Sequence, residues 1–266
     1  MPKVKNLIAA LPEPETIDLD ALRAALADGS VELVCVLGPT ASGKTRYAVQ
    51  LARALGNGSE IISADSRQVY RRMDIGTGKD LAEYGEVPYH LIDIAEPGTQ
   101  YNVYRFRQDF AAAFGDIRSR GGIPILCGGT GLYISAVTGG YDFTEKKPLS
   151  AAPSAPAADA PRTFFIGTLV SREVRNARID ARLDARLQEG MTDEIRGLLD
   201  SGVPADTLIS YGLEYKFVTL YLTGQLDYAG MREHLAIAIH QFAKRQMTWF
   251  RGMERSGIRI HWVNPY

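Results

Sequence analysis

Gly38-Pro39-Thr40-Ala41-Ser42-Gly43-Lys44-Thr45 is the stretch from which the rest of the chain can be read. It follows the apolar run 31–37 and leads into a helical pattern that begins near Lys44. The spacing fits G-x-x-x-x-G-K-[ST] in the context that pattern requires, a strand before and a helix after. Gly38 and Gly43 let the backbone curl so that successive N–H groups point inward at phosphate oxygens, and the helix N-terminus adds a positive dipole. Lys44 supplies a mobile point charge, and the Thr45 hydroxyl suits a Mg2+ ligand. The competing reading, a chance glycine-rich turn, leaves both flanks unexplained. The motif implies a phosphate ligand and leaves open which molecule bears it.

Outward from this loop the pattern alternates. Strands are expected at 31–37, 60–63, 90–94 and 123–127, with helices at 44–55 and 101–120 between them. A strand at 163–169, helices at 173–187 and 228–250, and a closing strand at 258–263 follow. Strand–helix alternation favours a parallel sheet with right-handed crossovers. The expected fold is therefore α/β, a P-loop NTPase-like parallel sheet flanked by helices, with a C-terminal helical portion. Four segments are expected: an extension over 1–30, an α/β core over 31–143, a Pro/Ala-rich linker over 144–162, and helices and strands completing the core over 163–266. Within the extension a short helix starts near Asp18, with Leu19, Leu22 and Leu26 on one face, Asp18 or Asp20 as cap and Gly29 as stop. Ligands of open α/β sheets bind at the carboxyl ends of the strands, so Asp65, Asp93 and Thr130 are expected around the loop.

The chain has 266 residues, 45% hydrophobic and 23% charged, with a net charge of -1. That composition suits a soluble globular protein and excludes a uniformly basic nucleic-acid binder, while leaving room for a local basic groove. Cys35 and Cys127 each sit in an apolar run before a glycine-rich loop and read as buried thiols of a reducing compartment. No apolar run approaches the ~18–20 residues of a membrane span, and the stretch 7–11 is too short for a secretory leader. The expected location is the cytoplasm and the expected state a monomer.

Several residue groups suggest chemistry. Asp65, at a strand end near the loop, suits a metal ligand, a general base or a substrate-positioning acceptor; the blander reading is a helix cap. Ser66, Arg67 and Gln68 follow directly, and Arg and Gln side chains can reach base edges or phosphates. Thr130 follows Gly128 and Gly129, where backbone can approach closely, and suits a bond to a reacting group, an N-cap, or both. Asp93 reads equally as a second acid or as a partner of neighbouring backbone. Arg175, Arg178, Arg182 and Arg186 form a basic stripe, for which a solvated face paired with Asp180 and Asp184 is the preferred reading. Lys244-Arg245-Gln246-Met247-Thr248-Trp249-Phe250-Arg251 mixes cations and aromatics, as nucleic-acid or diphosphate contact requires, unless Trp249 and Phe250 are core. His90, His234, His240 and His261 lack metal-ligand spacing and read as structural.

In order along the chain come residues 38–45, Ser-Ala-Asp-Ser-Arg-Gln-Val-Tyr at 63–70, Met-Asp-Ile-Gly-Thr-Gly-Lys at 73–79, and His-Leu-Ile-Asp-Ile at 90–94. Gly-Gly-Thr-Gly-Leu-Tyr at 128–133 and Ala-Lys-Arg-Gln-Met-Thr-Trp-Phe at 243–250 complete the set. This ordered set resembles the tRNA dimethylallyltransferase family over roughly 33–143 and 171–252. The resemblance implies transfer of a dimethylallyl group from dimethylallyl diphosphate to N6 of adenine, at A37 of certain tRNAs, with release of diphosphate. It implies Asp65 as general base and Thr130 as its assistant. Gly38 to Thr45 and Arg245 would hold the diphosphate, Thr45 the Mg2+, and Asp65, Ser66, Arg67, Gln68 and Lys244 the acceptor. Two departures stand out. The linker replaces the helical insertion typical of members, and the family's arginine before its Gly-Tyr motif is missing from 208–216, where Lys216 or Arg245 is the candidate substitute. The departures motivate a rival acceptor, free AMP, ADP or ATP. A small-molecule kinase and a non-catalytic P-loop RNA-binding protein are the other rivals.

Overall fold

The structure, a computed structural model, describes residues 12–139 and 160–266. In chain order it contains α1 (Leu19–Ala27), β1 (Leu33–Leu37), α2 (Lys44–Leu55), β2 (Glu60–Ser63), β3 (Tyr89–His90), α3 (Val103–Ser119), β4 (Pro124–Gly128) and α4 (Gly131–Val137). Then follow β5 (Thr163–Thr168), α5 (Arg172–Gln188), α6 (Met191–Asp200), α7 (Ala205–Tyr211), α8 (Leu213–Leu222), α9 (Tyr228–Arg255) and β6 (Ile260–Val263). All but residues 160–162 of the expected linker lies outside the described residues, as do residues 1–11 of the extension.

The six strands form one sheet in the order β3-β2-β4-β1-β5-β6, every neighbouring pair parallel. The first strand in sequence thus lies inside the sheet, between β4 and β5. The crevice outside its carboxyl end is the expected ligand site of a sheet whose order switches there. Successive residues of β1 serve opposite faces. Leu33, Cys35 and Leu37 join the core beneath α3 to α9, and Val34 and Val36 join the layer beneath α1 and α2. A strand buried on both faces needs an unbroken apolar run, which explains why 33–37 shows no alternation.

Local chemistry explains the helix limits. The Asp18 carboxylate accepts from the Asp20 and Ala21 N–H groups at 3.0 Å and caps α1, while Gly29 turns the chain at φ 78°. Asn102 caps α3, Ser171 caps α5 and Asp227 caps α9 in the same way. The strand expected over 90–94 shrinks to Tyr89–His90. Leu91 and Asp93 adopt positive φ (63° and 56°), and Asp93 and Ile94 donate their N–H groups to Gln68 and Val69 carbonyls instead of extending the ladder. Cys35 and Cys127 are free and buried. His90, His240 and His261 each face a carboxylate: Glu60, Asp180 and Glu15. No described helix is long and apolar enough to cross a membrane.

Candidate active site

A cavity of about 480 Å³ opens at the carboxyl ends of the central strands. Its walls include Thr40, Lys44 and Thr45 of the P-loop, Asp65 to Gln68 after β2, and Gly128 to Leu132 after β4. The sheet register explains the convergence. β4 lies beside both β1 and β2, so the loops leaving all three strands emerge together. The Ala64 N–H donates to Cys127 and its carbonyl accepts from Thr130 N–H at 3.2 Å, which ties the two loops.

Asp65 and Thr130 share this tie. The Asp65 carboxylate accepts from Arg67 N–H at 2.9 Å, and the Thr130 hydroxyl accepts from Ser66 N–H at 3.2 Å. Thr130 occupies the N-cap position of α4, yet its side chain makes no capping bond. The hydroxyl is turned to the β2 loop instead, and its own proton remains available to the cavity. Gln68 is held at both ends, accepting from Ser63 Oγ at 3.1 Å and donating to the Gly78 carbonyl at 3.3 Å. It therefore positions the 76–78 loop. Arg67 lines the cavity with no hydrogen bond to its guanidinium among the described residues.

The P-loop residues divide. Lys44 and Thr45 face the cavity at the start of α2, whose N-terminus has no side-chain cap. Gly43 sits at φ 80°, with the Tyr266 ring filling the space a Cβ would need. Ser42 is fully buried, its hydroxyl 2.6 Å from Thr168 Oγ1, and Pro39 accepts from its N–H. Thr40 N–H donates to Gln246 Oε1 at 2.8 Å. The N–H groups of Thr40 and Ser42 are thus engaged within the protein, and Pro39, Ala41 and Ser42 shape the loop from outside the main cavity. Crowding by protein lowers the Lys44 pKa, against the pull of the Asp65 carboxylate. Burial pushes the Cys127 thiol at the cavity floor up to about 12, so it stays protonated.

The C-terminal half supplies the remaining wall. Gln246, nearly buried on α9, bonds the P-loop through Oε1 and the Gly129 carbonyl through Nε2 at 2.8 Å. A Cβ at Gly129 would come within 2.4 Å of that Nε2, so the clamp requires glycine there. Trp249 lines the cavity and donates to Ser135 Oγ at 3.0 Å, whereas Phe250 is fully buried. Arg245 lines the cavity, its guanidinium 5.9 Å above the Phe242 ring, while Lys244 is exposed and lies outside the lining.

Three expectations change. Asp93 does not line the cavity; it pairs with Lys79, a nearly buried ammonium that also binds Asp74 and the Tyr70 carbonyl. The arginine stripe is not a solvated face. Asp184 bonds Arg232 and Asp180 bonds His240, both on α9, while Arg182 and Arg186 line the cavity. Lys216 is exposed and absent from the lining, so cationic charge enters from α5 and α9. Glu194 was not singled out by sequence reasoning. Its carboxylate gathers the N–H groups of Asp74, Ile75 and Gly76 at 2.7, 2.7 and 3.1 Å and fixes the 73–79 loop against α6.

A parallel sheet with a phosphate loop, an adjacent carboxylate and hydroxyl, and a cationic far wall defines a P-loop enzyme that handles a phosphorylated substrate. A family model described as IPP transferase matches residues 68–157 and 142–253, and one described as Isopentenyl transferase matches 31–86. The tRNA dimethylallyltransferase 1 of Porphyromonas gingivalis is 49% identical over 87% of this chain and 93% of its own. That of Parabacteroides distasonis is 46% identical over 88% and 93%. The latter alignment spans 287 positions, more than the 266 residues of this chain, so that relative has residues without a counterpart here. The solved tRNA isopentenylpyrophosphate transferase of Bacillus halodurans superposes with a TM-score of 0.75 at 31% identity, covering 88% of this chain and 89% of that one. The chain belongs to the tRNA dimethylallyltransferase family.

Proposed function

We propose that the protein transfers the dimethylallyl group of dimethylallyl diphosphate to N6 of adenine, at A37 of tRNA, in the cytoplasm. The observation that supports this most directly is the meeting of Asp65 and Thr130 with Lys44 and Thr45 in one cavity. An adenine amino group is a poor nucleophile because its lone pair is delocalised, and it needs a positioned base. In this reading the Asp65 carboxylate takes the N6 proton and the Thr130 hydroxyl orients the same centre. The N6–carbon bond forms as the allylic C–O bond breaks, and its electron pair leaves on diphosphate. Lys44 and Thr45, at the uncapped start of α2, and Arg245 hold that growing charge, with the rest of Gly38 to Thr45 shaping the loop. Ser66, Arg67 and Gln68 frame the base, and exposed Lys244 suits a tRNA phosphate. A target base must leave its stack to enter such a pocket, which favours a single-stranded loop.

The donor set fits Mg2+. Thr45 lines the cavity, and its hydroxyl, without an internal partner among the described residues, suits one Mg2+ ligand beside substrate phosphate. When bound, the ion neutralises diphosphate charge.

The relatives named above are tRNA enzymes, which weighs against a free nucleotide as acceptor. Labelled dimethylallyl diphosphate offered with tRNA and AMP side by side tests the reading. Label is expected in tRNA at A37; label in AMP alone overturns it. A γ-phosphoryl product from ATP without prenyl transfer would establish a kinase instead.

A further inference from the structure

Helix α5 turns two guanidinium groups into the cavity, and they are not equivalent. Arg182 is engaged, donating to the Gly78 carbonyl at 3.3 Å and pairing with Asp80. Arg186 has no hydrogen bond or ion pair among the described residues, although it packs against Gly78, where a Cβ would come within 1.4 Å of its Nη2. Both arginines share a smaller recess with Thr40 and Ala41 of the P-loop and with Glu214, in the first turn of α8. Lys44, across the main cavity, is likewise without an ion-pair partner among the described residues.

Cations gathered in a partly desolvated cavity are unfavourable unless an anion completes them. Arg175 and Arg178 on the same helix also carry a buried nitrogen without a partner, but neither lines the cavity; of the two that do, Arg182 is engaged by a carbonyl and a carboxylate and Arg186 by neither at hydrogen-bond distance among the described residues. The carboxylates of Glu214, in the same recess, and of Asp80 both attract Arg186, and neither closes a hydrogen bond to it among the described residues. The free guanidinium is therefore poised for a ligand, and its planar fork matches a phosphate better than an ammonium would.

We propose that Arg186 is a catalytic residue: its guanidinium binds the terminal phosphate of the donor, opposite Lys44, and holds it while the allylic C–O bond breaks. The electron pair of that bond goes to the diphosphate oxygen, where Arg186 and Lys44 share the charge, and the N6 proton goes to Asp65. Glu214, in the same recess, competes with the incoming phosphate for the guanidinium. The proposal rests on the reading of this cavity as a prenyl-diphosphate site, and it places the charge lost from 208–216 on a different helix.

Calorimetric titration with inorganic diphosphate, paired with single-turnover transfer to an anticodon stem-loop, tests it. Arg186→Gln is expected to weaken diphosphate binding about tenfold or more and to slow transfer by about 10²-fold. Arg186→Lys should recover part of the affinity and less of the rate, because charge returns without the fork. Glu214→Gln should tighten diphosphate binding a few-fold, roughly two to five. Should Arg186→Gln fail to fold, Arg186→Lys and Glu214→Gln still decide through opposite changes in diphosphate Kd. An Arg186→Gln protein that melts like the parent and keeps both Kd and single-turnover rate within about twofold overturns the proposal. Arg186-dependent diphosphate binding in a protein that transfers no prenyl group would instead support this site and sink the prenyl-transfer reading.

Discussion

The two walls of the cavity are built on opposite plans. On one side eight contiguous residues, a strand end and a helix start present Lys44 and Thr45. On the other, Arg186, Glu214, Arg245 and Gln246 arrive from three helices and meet only because those helices pack. Chemistry that depends on backbone curvature is encoded locally. Chemistry that depends on convergence exists only in the folded chain, and it is correspondingly sensitive to packing far from the ligand.

Substitutions can sharpen or break that contrast. The largest effect should come where the walls meet: Asp65→Asn is expected to lower kcat by about 10²-fold or more with donor affinity nearly intact. Unchanged turnover in a rapid-quench assay would remove Asp65 as the base. On the contiguous wall, Lys44→Ala should weaken donor binding about tenfold and slow transfer as well, because its charge meets diphosphate before and during departure. The depressed Lys44 pKa adds a sign. If the ammonium binds diphosphate as proposed, affinity should fall as pH rises through a value below that of an ordinary lysine, and Lys44→Arg should flatten the profile. An affinity independent of pH up to the normal lysine range would contradict this.

Gln246→Leu probes the link between the walls. It strands the Thr40 N–H and the Gly129 carbonyl, so about 2–3 kcal/mol of stability should be lost in urea unfolding, with a raised donor KM. A stability loss without any change in KM would show that the clamp does not shape the loop. Glu194→Gln keeps an acceptor and removes the charge facing three N–H groups, for a loss of about 1 kcal/mol. No change in the urea midpoint would mark that contact as neutral.

The parallel sheet, the succession of its strands and helices α1, α2, α3, α5 and α9 follow from apolar runs and glycine punctuation, and Asp65 and Thr130 from their places at strand ends, whereas α6, α7 and α8 answer to no expectation from the sequence. What escapes has a common physical cause. Glu194 and Gln246 act on partners more than a hundred positions away, and no local pattern points to them. For the α5 arginines, the sequence offers Asp180 and Asp184 as neighbouring partners, whereas in the fold those carboxylates turn to His240 and Arg232 respectively. A usable signal did exist. Arg182 and Arg186 flank Leu183 by one and three positions, so they border the buried seam of Ile179 and Leu183 rather than opposing it. The shortened β3 was hidden because an apolar run does not reveal positive φ at Leu91 and Asp93.

The position of β1 has a consequence for the chain as a whole. Its two neighbours come from opposite sides of residues 140–159, β4 before and β5 after. Asp65, Thr130 and the P-loop belong to the first piece, while the α5 arginines and the glutamine clamp belong to the second. The active centre is therefore bipartite, and a polypeptide ending before β5 would lack half of its cavity and leave the edge of its central strand bare. Two fragments divided within 140–159 should behave as complementing halves, inert apart and competent when co-expressed, with the β1–β5 ladder as their seam.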